Sequence, residues 1–187
     1  MKCSLSPAVA ELILVSRSRL MHKTIVTLLG FILVTVLARG EDAQWKEYVN
    51  RRFGFSLRYP PTLIASRAPE NGAGREFHTA DKEFSVLAEG HFLRVDEGDS
   101  LDKRWQDELD SLGDTITYKK KTDTWYVISG VTKDGTEYYH KLYTKGGNWS
   151  AFNITYPHVK NKQYDPWVAR IEKSFVPFLK GEFDRTE

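Results

Sequence analysis

Ser129, His140 and Asn153 are the residues whose types could do the most chemistry together. They lie in three successive segments, 124–133, 136–144 and 149–156, whose alternation of apolar and polar residues predicts a meander of strands. Asp134-Gly135 is the dipeptide of a two-residue type I′ turn, where both central residues take positive φ. Pairing Lys133 with Thr136 across that turn sets Val127 opposite Leu142 and Ser129 opposite His140. The Gly146-Gly147 turn then sets Leu142 opposite Ala151 and His140 opposite Asn153. A polar row, Ser129–His140–Asn153, results. A serine beside a histidine is the pair from which a nucleophile and its base are made. No oxyanion-hole motif or nucleophile turn accompanies Ser129, so a hydrogen-bonded polar row is the plainer reading.

The second candidate is a loop. Asn71-Gly72-Ala73-Gly74-Arg75 has the turn chemistry to present backbone N–H groups to an anion, with Arg75 alongside. It lacks the Gly-Lys-Ser/Thr of a phosphate loop. An ordinary turn explains it too, but loops carry function more often than strands, so Asn71, Gly72, Gly74 and Arg75 form the candidate binding loop.

No metal centre or cofactor is implied. His78, His91, His140 and His158 show no i, i+2 or i, i+4 spacing, and Cys3 stands alone. The acids from Glu89 to Asp110 lack the spaced Asp-x-Asp-x-Asp-Gly pattern of a calcium loop and read as the solvated side of a helix. Lys119-Lys120-Lys121 reads as protection of a sheet edge. Asn148-Trp149-Ser150 and Asn153-Ile154-Thr155 match the glycosylation pattern, the second inside a predicted strand, and read as chance matches. The five tryptophans read as core and rim packing.

These groups need elements to position them. Gln44 to Val49 predicts a short helical turn, and Phe53 to Tyr59 alternates as a strand that Pro60-Pro61 ends. Residues 67–74 form a loop, and 76–79 with 83–92 a hairpin around Asp81-Lys82, with His78 near Ser85. Asp99-Ser100 caps a helix to Leu112, with Leu101, Trp105, Leu109 and Leu112 on one stripe and Gly113 at its end. Residues 115–121 open the meander. Asp165-Pro166 caps the last helix, with Val168, Ile171 and Phe175 inward and Pro177 after it. The register puts Tyr126, Ile128, Tyr139, Tyr143, Phe152, Ile154 and Tyr156 on the face opposite the polar row. Both faces therefore carry apolar residues. The expectation is an α+β fold, a three-layer α/β/α sandwich on a mainly antiparallel sheet, one helix per face.

Charge separates the chain into two parts. Residues 1–40 hold five bases and one acid, leaving 22 bases and 24 acids for residues 41–187. No basic body for nucleic acid remains. Residues 25–37 are uncharged and apolar, Lys23 precedes them, and Ala38-Arg39-Gly40 puts small residues at −3 and −1 of a cut after Gly40. A cut after Ala38 is the second choice. Residues 21–40 thus read as a signal peptide, 41–187 as the single domain, and 1–20 as an upstream extension or a misassigned start before Met21. The protein is expected outside the cytoplasm, periplasmic or secreted, with an uncleaved membrane anchor as the alternative; only that segment would touch a membrane. Cys3 precedes the apolar core and cannot be a lipobox cysteine.

Tyr48-x-Asn50-x-x-Phe53-Gly54-Phe55-x-Leu57-x-Tyr59-Pro60 resembles the opening of PsbP-like proteins, named after the extrinsic lumenal subunit of photosystem II. The paired strands around Asp134-Gly135 and the closing helix ending in Ser174-Phe175 extend the resemblance to residues 45–178. The stretch from Pro69 to Phe77 looks more like exported, uncharacterised bacterial members. Leu63 stands where the family often has tryptophan, which counts against a photosystem role. The resemblance implies the same α/β/α sandwich and a non-catalytic accessory or binding role outside the cytoplasm, with a partner in the cell envelope. It supplies no catalytic residue. Two alternatives stand beside it: a small-ligand or metal-ion binding module, and an extracytoplasmic hydrolase using Ser129 and His140.

Overall fold

The alternating segment after Gly54 forms the strand its pattern predicts, β2 (Phe55–Tyr59). The residues before it depart from expectation. The segment expected as a helical turn is a strand, β1 (Lys46–Asn50), paired antiparallel with β2 from Lys46↔Tyr59 to Asn50↔Phe55. A helix so short is not self-supporting, whereas the hairpin gives its backbone partners. Asn50 is buried at its end, where its side-chain oxygen accepts from Phe53 N at 3.0 Å and its Nδ2 donates to Gly72 O at 3.0 Å.

A computed structural model describes residues 45–180; the expected extension and signal segment lie outside the described residues. After the β1–β2 hairpin come β3 (Ile64–Ala65), β4 (Gly74–His78), β5 (Ser85–Phe92), α1 (Leu101–Leu112), β6 (Ile116–Lys121), β7 (Trp125–Val131), β8 (Thr136–Lys145), β9 (Asn148–Pro157) and α2 (Asn161–Ser174). Strands β3 to β9 form a seven-stranded sheet in the order β3-β4-β5-β9-β8-β7-β6, every neighbouring pair antiparallel. His78 pairs with Ser85 as expected.

Each face has its own helix. Ser100 caps α1, its Oγ accepting from Lys103 N at 3.1 Å, and the apolar stripe Leu101, Trp105, Leu109 and Leu112 packs on Tyr126, Ile128, Leu142 and Ala151. On the other face α2, through Tyr164, Val168 and Ile171, joins Phe55 and Leu57 of β2 to cover Val86, Phe152 and Ile154. The expected three-layer sandwich is the observed one, with the β1–β2 hairpin sharing the second face.

The register differs from expectation at one turn. Thr132 and Thr136 close a three-residue loop: Gly135 N donates to Thr132 O at 2.9 Å, and Thr132 N to Thr136 O at 2.8 Å. Only Gly135 of this loop has positive φ, at 84°, so the turn is a type I turn with a glycine bulge instead of a type I′ pair. The extra residue slips β7 by one. Ser129 pairs with Tyr139, and Ile128 with His140. Because side chains alternate faces, every β7 side chain changes side. Tyr126 and Ile128 lie under α1, while Val127 and Ser129 face the other way. The β8–β9 register, His140↔Asn153 and Leu142↔Ala151, is as expected.

The last helix also starts earlier than its proline suggests. It runs from Asn161, with Pro166 inside it. Proline removes one helical bond there. Tyr164, buried 5.1 Å from the Phe84 ring, and Asp165, which accepts the Tyr156 hydroxyl at 2.8 Å, hold the preceding turn in helical form.

Candidate functional site

Away from the helix the α1 side of the sheet turns mostly polar, with Leu87 of β5 the apolar exception on the two strands nearest the loop. On β4 and β5 that face carries Glu76, Glu89 and His91. Two cavities open here. One, of about 300 Å³, lies against α1, where Arg104, Glu108 and Ser111 form a polar stripe at i, i+4 and i+7 beside the apolar one. His140, Tyr126 and Trp149 line the sheet side of this cavity. The second, of about 310 Å³, lies against the loop from Ser66 to Gly74, with Arg67, Asn71 and Arg75 in its lining. Glu89 lines both, so the two adjoin as one groove across the strands.

The ionisable groups at the α1 end are held in pairs. His140 Nδ1 lies 3.1 Å from the Glu108 carboxylate, whose pKa this bond holds below the usual value. Asp99 receives both Nε and Nη2 of Arg104, at 2.8 and 2.7 Å, and is lowered likewise. The Arg104 guanidinium sits 4.3 Å from the Trp149 ring centre, and His91 stacks on the same ring at 4.7 Å. The Trp149 indole N–H is buried without a partner among the described residues; shut off from solvent, it is not a group a cavity ligand meets. Burial pushes the Tyr126 hydroxyl well up, so it stays a neutral phenol.

At the loop end the cations are not so engaged. The Arg75 Nε donates to Ser66 O at 3.0 Å, and neither Arg75 nor Arg67 makes an ion pair among the described residues. The Glu76 carboxylate accepts from the hydroxyls of Ser85 at 2.7 Å and Ser66 at 3.1 Å, which lowers its pKa.

The structure divides the residues singled out from the sequence. His140 and Asn153 are neighbours on the α1 side, His140 in the cavity wall and Asn153 exposed. Ser129 is on the opposite side of the sheet, beside Tyr139, so the Ser129–His140 pairing does not occur. The candidate loop does line a cavity, but its amides are occupied: Gly72 N bonds Pro69 O at 3.0 Å and Ala73 N bonds Asn71 Oδ1 at 3.0 Å. Arg75 alternates with Glu76 along β4 and stands with Phe77 on the α2 side of the strand, where its charge acts on the Tyr48 hydroxyl. Gly74 is there because β4 and β5 meet closely: a Cβ on it would stand 2.1 Å from Ala88 O. Sequence reasoning missed Arg104 and counted Glu89 and Glu108 only as members of an acidic run. The i, i+4, i+7 stripe of Arg104, Glu108 and Ser111 flanking the leucine stripe was the available signal. Among the described residues no group of three or more His, Cys, Asp and Glu could hold a metal ion, and no helix is long and apolar enough to cross a membrane.

The strand order and the two covering helices define a class, the PsbP-like α+β sandwich. The solution structure of cyanobacterial PsbP (CyanoP) from Synechocystis sp. PCC 6803 has this fold, with a TM-score of 0.53 and 14% identity over 73% of this chain and 94% of that one. A crystal structure of a protein from Bacteroides thetaiotaomicron VPI-5482 gives a TM-score of 0.47 at 16% identity; it covers 74% of this chain, which spans half of that one. No protein-family model matches this chain, and no curated protein does. The likeness is one of fold, the fold expected from the opening motif.

Proposed function

We propose that this chain is an exported, non-catalytic accessory protein of the cell envelope that works by binding. The observation that carries the reading is the groove on the α1 side of the sheet, two adjoining cavities joined at Glu89. Concave polar surface is where ligands and partner segments seat. The residues from which a hydrolase would be assembled do not meet, since Ser129 and His140 occupy opposite faces. Glu108 and Asp99 accept hydrogen bonds that favour their charged forms, the reverse of a carboxyl tuned toward neutral pH as a general acid. The PsbP-like resemblance and the apolar segment 25–37 support an accessory role outside the cytoplasm.

In-cell crosslinking of the tagged full-length protein, with fractionation and mass spectrometry, tests this. The expected result is one stoichiometric envelope protein crosslinked to a chain that has lost residues to about Gly40. An uncut chain in the cytoplasmic fraction overturns the export reading. A small-ligand module is the second reading, favoured by the size of the α1 cavity, about 300 Å³. A cleaved monomer with no crosslinked protein, stabilised by a small molecule in a thermal-shift screen, decides for it.

A further inference from the structure

β6 is the long free edge of the sheet. It stands at one end of the strand order, and among the described residues it pairs only with β7. The opposite edge, β3, is two residues long and offers almost no ladder. The register with β7 slips between Ile116 and Tyr118, so the regular part of the β6 edge runs from Tyr118 to Lys121. Thr122 N donates to Trp125 O at 2.8 Å across the turn that follows. Hydrogen-bonded and non-bonded pairs alternate along an antiparallel ladder, so Lys120 and Tyr118 direct their backbone groups to Val127 and Ser129. The N–H and C=O of Lys119 and Lys121 then point outward, toward the place of a further strand. The side chains divide between the faces. Tyr118 and Lys120 stand on the α2 side beside Ser129 and Val127, and Lys119 and Lys121 on the α1 side beside Ile128 and Tyr126. Lys121 is held by Asp102 of α1 at 2.6 Å. Lys119 and Lys120 are exposed and have no carboxylate partner among the described residues; Lys120 lies 5.7 Å from the Trp125 ring centre. Tyr118 is 51% exposed. The edge thus carries one cation without a counter-charge on each face, with an open aromatic ring beside them.

We propose that β6 takes up an extended acidic segment of a partner protein as a further strand of the sheet, with consecutive carboxylate side chains opposite Lys119 and Lys120 and an apolar side chain opposite Tyr118. The inference rests on the binding-protein reading above and names the mode and chemistry of its partner. The main chain of the segment satisfies the outward groups of Lys119 and Lys121. Consecutive residues of a strand point to opposite faces, so one acid meets each unpaired lysine. The same lysines turn other occupants away. A second copy of this edge sets lysine against lysine, and a neutral strand gains no ion pair. Protection of the edge and choice of its partner are therefore one device.

Amide hydrogen exchange and chemical-shift mapping of the full-length protein with terminally blocked hexapeptides test this. Thr-Val-Glu-Glu-Val-Thr is the probe, since its residue order is the same in both chain directions. Two controls replace Glu-Glu by Gln-Gln or Lys-Lys, and a third keeps both glutamates with their backbone nitrogens methylated. The acidic probe is expected to slow exchange at the Lys119 and Lys121 amides and to leave the Lys120 amide, already bonded to β7, as it was. Lys119→Gln and Lys120→Gln are each expected to weaken the probe about two- to fivefold, with thermal midpoints showing that the variants remain folded. Lys119→Glu combined with Lys120→Glu should exchange the preference, so that the Lys-Lys peptide binds and the acidic one does not. Raising salt weakens the probe as well. Equal binding of the Gln-Gln, Lys-Lys or methylated peptide overturns the proposal, as do Lys119 and Lys121 amides left unprotected at ~10 mM probe. If the peptides fail while the crosslinked envelope partner is recovered, the binding-protein reading stands and only the role of the β6 edge falls. If the partner is absent and the acidic peptide binds, the edge chemistry stands and the envelope role falls.

Discussion

The imidazole of His140 on β8 reaches up to the carboxylate of Glu108 on α1, with 3.1 Å between Nδ1 and the oxygen. It is a polar tie between helix and sheet at the edge of an otherwise apolar contact, and it forms one wall of the groove.

That tie gives stability a pH dependence with a definite sign. The bond from His140 holds the Glu108 carboxyl below its usual 4.5 in the folded protein. The unfolded chain therefore takes up the proton first as pH falls. The contribution is complete above the unfolded value and disappears as pH drops through the lower folded one. Urea unfolding from about pH 7 to pH 3 should show Glu108→Gln with a flatter acid limb than the parent protein. An unchanged acid limb would show that the pair contributes nothing.

Ser129→Ala should be silent on the α1 side. Its side chain faces away from His140, so the chemical shifts of the His140 ring should be unchanged in the variant. Glu108→Gln should move them. If Ser129→Ala moved them, the pairing of β7 with β8 would be wrong.

Gly74→Ala tests the closeness of β4 and β5. The new methyl would press on Ala88 O at 2.1 Å and on Glu89 Cα at 2.8 Å, backbone atoms that cannot rotate away. The expected cost is about 1–3 kcal/mol in denaturant unfolding. The second cavity, which Gly74 lines, should change shape with it.

Phe152→Ala probes the other layer. Phe152 is fully buried, its ring 4.9 Å from Phe175 and 5.9 Å from Tyr139. Its loss should cost about 3–5 kcal/mol, by transfer and by the cavity left behind. A loss under about 1 kcal/mol would mean that the layer under α2 collapses to fill the space.

Much of this fold is written in periodicity that a reader of the sequence can follow. The stripe Leu101, Trp105, Leu109, Leu112 places α1, the Gly146-Gly147 turn fixes β8 against β9, and the alternation in residues 149–156 separates the two faces. Two losses have local causes. Lys46 to Asn50 is too short for periodicity to decide between helix and strand, and its identity depends on a partner, β2. Pro166 gives a helix-start signal that tertiary packing of Tyr164 and Asp165 overrides. The site was half legible. His140 and Arg75, singled out in the polar row and the loop, are among the residues around the two cavities, but their neighbours Glu89 and Arg104 come from strands and helices brought together only by topology. Serine 129 was lost to the one-residue difference between two turns that share the dipeptide Asp-Gly.

That difference also decides what changes this protein tolerates. The Lys133–Gly135 loop acts as a parity element: its odd length determines which half of the side chains in β7, and by pairing in β6, belongs to each layer. Deleting or adding one residue there would send Tyr126 and Ile128 out from under α1 and bring Val127 and Ser129 in. Tyr126 lines the α1-side cavity, so the lesion would reach that cavity's wall on another part of the sheet. Changes by two residues preserve the layers; changes by one exchange them. Among the descendants and engineered versions of this chain, length variation at that hairpin is therefore expected in even steps.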